Sequence, residues 1–160
     1  MKNIKAVALD IDGVLTDATF IWGPNSEEFK QFSFLDIMGI SLGMKAGLVF
    51  ALISGEDTPL VDRFARKMGI VDVYKGCKDK ASALRAFAQK YGLAFDDVCF
   101  MGDDVNDVAA LELAGWAVAP ATAHRVARSK ADIITKLGGG HGAVRELLDM
   151  ILFDGNEGVV

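Results

Sequence analysis

Along most of this chain, short apolar runs alternate with longer segments whose apolar residues recur at helical spacing. The apolar runs, each as long as a buried strand, span residues 4–9, 48–53, 71–74, 98–101, 116–119 and 132–134. The segments with helical spacing span residues 59–68, 80–91 and 105–114. Strands that alternate with helices build a parallel sheet with right-handed crossovers. The alternation therefore predicts an α/β fold in which helices flank a parallel sheet.

Two carboxylates follow the first apolar run directly. Asp10 and Asp12 come after residues 4–9, at the carboxyl end of a predicted strand, where open α/β sheets bind ligands. Side chains two positions apart on a strand share a face, and two anions held that close repel unless a cation or a proton lies between them. The pair indicates a metal site or a coupled acid and nucleophile. On these residues alone, a plain turn at Asp12-Gly13 with Asp10 as a helix cap is an equal alternative.

One segment departs from the alternation of strands and helices. Residues 19–22 and 29–34 are strand-like and flank the turn-rich sequence Gly23-Pro24-Asn25-Ser26, which predicts a β-hairpin within residues 17–35. The hairpin projects from the crossover after the first strand. We therefore expect it to overhang the carboxyl ends of the strands as a flap.

The composition is that of an ordinary globular protein, with 160 residues of which 51% are hydrophobic and 24% charged. We expect one domain over residues 1–153 and a flexible tail over residues 154–160. The net charge of −5 argues against nucleic-acid and anionic-membrane partners. Cys77 and Cys99 are too few for a disulfide framework and are expected to be buried thiols. Without a recognisable signal peptide or membrane span, the sequence predicts a cytoplasmic protein.

A second acidic cluster follows the apolar run at residues 98–101 and should lie at the same edge of the sheet as Asp10 and Asp12. Its carbonyl-bearing side chains are Asp103, Asp104, Asn106 and Asp107. Clustered oxygen ligands of this kind favour a hard divalent cation. Together with the first pair, the cluster makes a metal site a better interpretation than a solvated helix cap.

Two further polar positions stand at the ends of the intervening units. Ser54-Gly55 follows residues 48–53, and Lys80 begins the segment after residues 71–74. A hydroxyl, a loop amide and an ammonium around a metal make a place for a phosphoryl group, whose charge catalysis must neutralise. Each residue alone is better explained as an ordinary turn or surface position, but their joint placement indicates phosphoryl chemistry.

These residues, in this order, resemble the four motifs of the haloacid dehalogenase superfamily of phosphohydrolases. Asp10-x-Asp12 is similar to the first motif, Ser54 to the second, Lys80 to the third, and Gly102-Asp103-Asp104-x-x-Asp107 to the fourth. The resemblance covers nearly the whole chain. It implies a Rossmann-like sheet of the haloacid dehalogenase type, with the β-hairpin as a flap and no cap domain.

The resemblance also implies roles for the acidic residues. Asp10 would be the nucleophile that forms an aspartyl-phosphate, while Asp12 would be the general acid for the leaving alcohol and then the base for water. Asp10, the backbone carbonyl of Asp12, and Asp103 would bind Mg²⁺. Because Asp12 must start with a proton, we expect a neighbouring anion to raise its pKa.

The remaining motif residues would support that reaction. Ser54 would hydrogen-bond the transferring phosphoryl group, and Lys80 would screen its charge. Asp104 and Asp107 would lie around the metal and its waters, and Asp107 could instead hold Lys80. His124 and His141 are given no catalytic role, although His141 could reach a neighbouring subunit's substrate.

Within the superfamily, residues 12–17 and 139–146 resemble the 3-deoxy-D-manno-octulosonate 8-phosphate (KDO 8-phosphate) phosphatases. Those enzymes are homotetramers whose hairpins and C-terminal tails complete neighbouring active sites, so the resemblance implies a homotetramer that acts on a small sugar phosphate. Cover by a neighbour would exclude water from a site without a cap domain. The residues expected to contact the substrate are Thr16, Asp36, Gly55, Glu56 and Lys67, although Asp36 could instead cap the next helix.

One residue departs from that family pattern. The octulosonate enzymes usually carry Arg after Ser54-Gly55, a natural partner for a substrate carboxylate, whereas this chain has Glu56. Glu56 together with Lys67 is more similar to relatives that act on nine-carbon ulosonate 9-phosphates. The resemblance therefore predicts KDO 8-phosphate as substrate, with a KDN or N-acylneuraminate 9-phosphate as the alternative.

Two other classes of protein use related residues. A receiver-like signalling domain also holds an aspartyl-phosphate with acidic residues, Mg²⁺, a hydroxyl and a lysine. The acid at Asp12, one residue beyond the nucleophile, favours turnover over storage of the phosphoryl group. A catalytically idle assembly domain is the other alternative, and the intact motifs argue against it.

Overall fold

The computed structural model describes residues 3–153, and the tail predicted at residues 154–160 lies outside them. The strands are β1 (Ala6–Leu9), β2 (Ile21–Trp22), β3 (Glu28–Phe29), β4 (Val49–Ile53), β5 (Asp72–Tyr74), β6 (Val98–Met101), β7 (Trp116–Ala119) and β8 (Ile133–Ile134). The α-helices are α1 (Phe34–Lys45), α2 (Pro59–Met68), α3 (Lys80–Lys90), α4 (Val108–Leu113), α5 (Arg125–Arg128) and α6 (Ala143–Phe153). Short 3₁₀ turns occur at Phe95–Asp97 and Val105–Asp107.

The main sheet has six strands in the order β5-β4-β1-β6-β7-β8. All neighbouring strands in it run parallel. At the carboxyl end of β1, Leu9 is paired with Leu52 of β4 and Met101 of β6. The chain therefore leaves these three strands at nearly the same level. The predicted α/β fold with a parallel sheet is confirmed.

Helices cover both faces of the sheet, which explains why β1 is a continuous apolar run rather than an alternating one. Val7 and Leu9 lie in one core with residues of α1, α2 and α6. Ala6 and Ala8 lie in the other core with residues of α3 and α4. Every residue of β1 is buried, so the residues that follow it have a rigid base.

The predicted strands and helices of the sheet units agree with the structure to within two residues at each end, apart from residues 105–114. That segment is divided into a 3₁₀ turn and the helix α4. The Asp107 carboxylate accepts the N–H groups of Asp103 and Asp104 at 2.8 and 3.1 Å, and Asp104 in turn caps Val105. These side-chain bonds hold the first turn in its tighter form.

A two-stranded hairpin lies within residues 17–35, as predicted, but its strands are shorter than expected. β2 and β3 pair antiparallel, with Ile21 opposite Phe29 and Trp22 opposite Glu28. The expected strand at residues 29–34 is wrong beyond Phe29, because the chain leaves the pairing there and enters α1.

Helix α1 has no counterpart among the helices predicted from periodicity. Ser33 begins it as the N-cap, with its Oγ accepting the N–H of Leu35 at 3.2 Å. Apolar side chains lie on its exposed side as well as its buried side, including Phe34, Leu35 and Met38. A helix with apolar residues all around shows no amphipathic period, so the pattern could not mark it.

Two expectations from composition can be compared with the structure. No helix of the described residues is long and apolar enough to cross a membrane. Cys99 is buried, as expected, but Cys77 is only partly buried, so the expectation of two buried thiols was wrong for Cys77.

Candidate active site

The carboxyl ends of β1, β4 and β6 bring the predicted polar residues to one edge of the sheet. Asp10 directly follows β1, Ser54 directly follows β4, and Asp103 lies two residues beyond β6. The N–H of Asp10 donates to the carbonyl of Met101 at 3.0 Å, and the N–H of Ser54 donates to that of Tyr74 at 2.8 Å. These bonds extend the pairing of the sheet into the site, so its backbone is held as rigidly as the strands.

A buried lysine joins two aspartates at this edge. The Lys80 ammonium lies 2.9 Å from Asp10 Oδ1 and 2.6 Å from Asp107 Oδ1. Lys80 is only 2% exposed, Asp10 4% and Asp107 0%. Lys80 begins α3 and Asp107 immediately precedes α4, so the two helices deliver the pair from one side of the sheet. Of the two roles expected for Asp107, near the metal waters or on Lys80, the structure contains the contact with Lys80.

The electrostatics of the cluster depend on this lysine. Burial, followed by repulsion from Asp107, raises the pKa of Asp10 well above its ordinary range, although Lys80 opposes the shift. Burial and Asp107 likewise raise the pKa of Asp103 to about 7. For Lys80, burial alone would lower the pKa, but Asp10 and Asp107 outweigh it and raise the value. One ammonium is therefore too little positive charge for the carboxylates around it.

The same carboxylates suit a divalent cation. Asp10, Asp103 and Asp107 each offer an oxygen, and these oxygens lie within 4.8 Å of one another. Opposite ligands of an octahedral Mg²⁺ lie about 4.2 Å apart. Asp107 already binds Lys80 with one oxygen and two backbone N–H groups with the other. Asp10 and Asp103 therefore have the carboxylate oxygens best placed for a cation.

Gly13 allows Asp103 to approach the loop after β1. Its φ of +94° lies in the left-handed region that favours glycine. A Cβ at this position would lie 1.9 Å from Asp103 Oδ2, so no side chain fits. Gly139 packs against the same loop, where a Cβ would lie 1.9 Å from the carbonyl oxygen of Gly13. Gly140 donates its N–H to the carbonyl of Val14 at 3.0 Å.

Asp12 is bound by a residue that sequence reasoning missed. Lys30, directly after β3 of the hairpin, places its Nζ 2.7 and 2.8 Å from the two carboxylate oxygens of Asp12. We expected an anion beside Asp12, but its nearest charged group is the Lys30 ammonium. The lysine stands in an exposed hairpin 18 positions along the chain, and no local pattern links it to Asp12.

The site opens into a cavity of about 380 Å³. Its lining residues are Asp10, Asp12, Ala18, Phe20, Trp22, Glu28, Lys30, Gly55, Glu56, Lys80, Asp103, Asp104 and Asn106. The hairpin therefore forms one wall of the cavity, opposite the loops that follow the strands. Its position agrees with the flap expected from the sequence.

Ser54, Gly55 and Glu56 are consecutive residues directly after β4. The Ser54 Oγ is buried and accepts the N–H of Glu56 at 3.1 Å, which leaves the hydroxyl proton free to donate elsewhere. Gly55 and Glu56 are exposed and line the cavity. The structure therefore brings Gly55 and Glu56 to the same cavity as Asp10, whereas the adjacent Ser54 is buried.

Lys67 lies in a different place from the other predicted substrate residues. It is exposed and lines a second cavity of about 350 Å³ between the hairpin and α2, together with Arg63. Lys30 and Glu28 line both cavities and so form the wall between them. Glu56 lines the first cavity and Lys67 the second, so neither of these cavities contains both residues.

Thr16 and Asp36 were predicted to contact the substrate, and the structure contradicts this for both. Their side chains are buried and hydrogen-bonded within the chain. Thr16 Oγ1 accepts the N–H groups of Gly13 and Ala18 and donates to the carbonyl of Ile11, which shapes the loop after β1. Neither Thr16 nor Asp36 lines the cavity that holds Asp10.

Asp36 stabilises the start of the last helix. Its two oxygens accept the N–H groups of Gly142 and Arg145 at 3.3 and 2.9 Å. It therefore caps α6, whereas the sequence-based alternative was a cap on the helix next to the hairpin. Burial raises the pKa of its carboxyl group, although these backbone bonds oppose the shift.

The chain is similar to known proteins over most of its length. Residues 48–147 match the family described as haloacid dehalogenase-like hydrolases. The 3-deoxy-D-manno-octulosonate 8-phosphate phosphatase KdsC of Salmonella typhi is 37% identical over 151 residues, which cover 94% of this chain and 80% of that protein.

Two solved structures of such phosphatases have closely similar folds. The Moraxella catarrhalis enzyme, in complex with magnesium ion, phosphate ion and KDO, has a TM-score of 0.91 and 34% identity, over 94% of this chain and 87% of that one. The cobalt-bound Haemophilus influenzae enzyme also has a TM-score of 0.91 and 34% identity, over 94% of this chain and 88% of that one. Both structures contain a metal ion, which is the kind of ligand that the acidic cluster favours.

Proposed function

Because the chain belongs to the haloacid dehalogenase-like hydrolases and is a phosphoric monoester hydrolase, we propose that it hydrolyses KDO 8-phosphate to KDO and phosphate. The observation that carries the proposal is the buried arrangement of Asp10, Lys80 and Asp107, with Asp103 beside it, at the floor of the cavity. The membership favours turnover of the phosphoryl group over the signalling and assembly alternatives.

The first half of the reaction transfers the phosphoryl group to the protein. One oxygen of Asp10 attacks phosphorus, and the bond to the sugar oxygen breaks as Asp12 gives that oxygen a proton. Lys80, which already bonds Asp10, screens the negative charge as the phosphoryl group approaches. Ser54 donates its free hydroxyl proton to a phosphoryl oxygen. The products are an aspartyl-phosphate and the free sugar.

The second half returns the protein to its starting state. Asp12, now a carboxylate, takes a proton from a water molecule as that water attacks phosphorus. The bond between phosphorus and Asp10 breaks, and inorganic phosphate leaves. The same side chain thus serves as acid and then as base, so its orientation matters in both steps.

The proposed cofactor is Mg²⁺, held by Asp10, Asp103 and the backbone carbonyl of Asp12. When bound, it would neutralise phosphoryl charge and relieve the repulsion between the carboxylates. Asp104 and Asp107 would lie around it, with Asp107 kept in place by Lys80. The magnesium ion in the Moraxella catarrhalis structure supports this choice.

The length of the sugar acid is a separate part of the proposal. Glu56 lies at the exposed rim of the cavity, where the octulosonate enzymes usually have Arg. An anionic side chain there is a poor partner for a substrate carboxylate, so a nine-carbon ulosonate 9-phosphate is the second candidate. Lys67 would have to act from a neighbouring chain or through the second cavity.

We also propose a homotetramer in which neighbouring chains cover the hairpin. The hairpin and the start of α1 expose large apolar side chains: Phe20, Ile21, Trp22, Phe29, Phe34, Leu35 and Met38. Exposed large apolar side chains grouped on neighbouring elements are typical of a protein interface. Cover at this place would also close the cavity, since Phe20 and Trp22 line it.

The proposed function is tested by phosphate release from KDO 8-phosphate and from a KDN 9-phosphate, side by side. Wild type should release phosphate with Mg²⁺, and chelation or Asp10→Asn should abolish release. Asp96→Asn, at an exposed aspartate outside the cavity, is the matched control and should retain activity. Persistent hydrolysis by Asp10→Asn would contradict the mechanism. A preference for the nine-carbon substrate that Glu56→Arg reverses would select the second candidate.

A further inference from the structure

The contact between Lys30 and Asp12 connects the hairpin to the reacting groups. Lys30 Nζ binds both oxygens of the Asp12 carboxylate, at 2.7 and 2.8 Å. The Lys30 side chain is only 2% exposed, although it belongs to an otherwise exposed hairpin, and the Asp12 side chain is 30% exposed. A lysine buried to this degree gives up much side-chain entropy and hydration, which an ordinary surface ion pair does not require.

The position of Lys30 also limits what else it can bind. It follows β3 directly and lies in the wall between the two cavities. Its nearest other carboxylate is Glu28, at 3.9 Å, beyond hydrogen-bond distance. The Lys30 ammonium therefore has Asp12 as its hydrogen-bonded carboxylate, whereas the cation that binds Asp10 is Lys80.

We propose that Lys30 is a positioning residue that holds the Asp12 carboxylate in the orientation for proton transfer, so that the hairpin takes part in both chemical steps. The proposal rests on the phosphatase function proposed above. It adds a role for the hairpin beyond covering the cavity.

The geometry supports orientation rather than blockage. A carboxylate has about four lone-pair sites, and one ammonium that bridges both oxygens leaves sites free on each oxygen. In the first step one of those sites carries the proton that passes to the leaving oxygen of the sugar, and in the second step it receives a proton from water. Since an aspartate side chain otherwise rotates freely at a solvent-facing position, bonds to both oxygens fix its plane.

A purely structural role for Lys30 predicts a different result. If the ion pair only ties down the hairpin, its loss should change substrate binding or stability and raise KM. If it orients Asp12, its loss should lower kcat and slow breakdown of the aspartyl-phosphate in particular. A misplaced catalytic group costs up to about 100-fold in rate.

The test compares three variants of the full chain with wild type. Lys30→Met keeps the aliphatic stem and removes the ammonium, whereas Lys30→Arg keeps a cation. Lys90→Met is the matched control, because Lys90 binds the buried carboxylate of Asp72 at 2.6 Å and lines neither cavity. Each is assayed with KDO 8-phosphate and with p-nitrophenyl phosphate, whose leaving group needs little protonation.

For Lys30→Met we expect kcat with the sugar phosphate to fall about 10- to 100-fold, with KM changed less than about threefold. With p-nitrophenyl phosphate, rapid mixing should give a burst of about one nitrophenolate per chain and then slow turnover, because water attack still needs Asp12. Lys30→Arg should recover part of kcat, and Lys90→Met should match wild type.

An unchanged kcat in Lys30→Met would overturn the proposal, as would a rise in KM alone or a fall in kcat without a burst. If Lys30→Met does not fold, Lys30→Arg decides, since a lower kcat with a burst and the KM of wild type supports orientation and a raised KM does not. Absence of hydrolysis by wild type would overturn the phosphatase function itself, and the role of Lys30 with it.

Discussion

The floor of the active site and the hairpin above it are built in opposite ways. On the floor, Lys80 and Asp107 are almost fully buried and bonded to each other, and the sheet holds Asp10 from below. In the hairpin, Trp22 is 72% exposed and Phe29 56% exposed, and each strand is two residues long. The acidic groups of the floor are preorganised within one chain, whereas the apolar side chains of the hairpin are exposed to solvent in that chain.

The largest effect should come from removing the cation on the floor. Lys80→Met leaves Asp10 and Asp107 as buried anions without a partner, and breaking a buried pair costs about 3–5 kcal/mol. Phosphatase activity should fall at least about 100-fold, because the transferring charge is no longer screened. Urea unfolding and kcat measurements check both effects. Stability within about 1 kcal/mol of wild type would show that the floor is not preorganised by this lysine.

Filling the space at Gly13 should be nearly as damaging to activity. Gly13→Ala combines an unfavourable φ with a methyl group 1.9 Å from Asp103 Oδ2, so Asp103 must move. We expect activity to fall about 100-fold, as for a displaced catalytic group. Gly47→Ala is the matched control, because Gly47 has a φ of +93° and nothing within 4 Å of its Cβ position.

Gly47→Ala should therefore lose only the backbone contribution, about 1 kcal/mol, and keep its activity. Equal losses of activity in the two glycine variants would mean that backbone strain, and not the approach of Asp103, explains the effect. Steady-state assays with matched thermal unfolding curves make the comparison.

The carboxylates on the floor also predict a pH dependence of stability. Burial and Asp107 raise the pKa of Asp103 to about 7 in the metal-free protein, whereas an unfolded aspartate has a pKa of about 3.9. The folded protein binds this proton more tightly than the unfolded chain does. The stabilisation that the bound proton gives the folded protein is therefore complete below about pH 4 and is lost as pH rises through about 7. Asp10, whose pKa is also raised, acts in the same direction.

Mg²⁺ should therefore raise Tm more at about pH 8 than at about pH 5.5. Each kcal/mol of additional stabilisation by Mg²⁺ corresponds to about 2–4 °C in Tm. Thermal unfolding with and without Mg²⁺ at the two pH values measures the difference. Asp103→Asn should reduce it. Equal increments in wild type at both pH values would contradict the carboxylate site.

The smallest effect on the single chain should come from the exposed apolar surface. Phe34→Ser changes a side chain that is 80% exposed, so the free energy of unfolding of the isolated chain should change by less than about 0.5 kcal/mol. Self-association should weaken, because this side chain belongs to the proposed interface. Val71→Ser, at a residue that is 79% exposed and far from the hairpin in sequence, is the control. Sedimentation of both variants measures their oligomeric state. If Phe34→Ser assembles in the same way as wild type, Phe34 is not part of the interface.

Much of the fold and of the catalytic floor could be predicted from the sequence. Buried parallel strands are continuous apolar runs, and the residues that follow them meet at one edge by geometry, so Asp10, Ser54 and Asp103 could be grouped without coordinates. Lys80 was predicted because it begins a helix at the same edge.

The remaining features depend on contacts between distant parts of the chain. Lys30 reaches Asp12 from the hairpin, and Asp36 caps a helix more than 100 positions away, with an N–H donor at Gly142. No local pattern encodes either contact. The exposed apolar side of α1 hid the helix itself, because apolar residues on its exposed side break the amphipathic period.

The central claim is that Asp10 carries the phosphoryl group, and one measurement tests it most directly. The Asp12→Asn variant is mixed with Mg²⁺ and p-nitrophenyl phosphate, whose leaving group needs little protonation, and is then quenched in acid, digested and analysed by mass spectrometry. We predict a phosphoryl group on Asp10, because Asp12 is no longer able to take the proton from water. Continued turnover with an unmodified Asp10, or a phosphoryl group on another residue, would contradict the account.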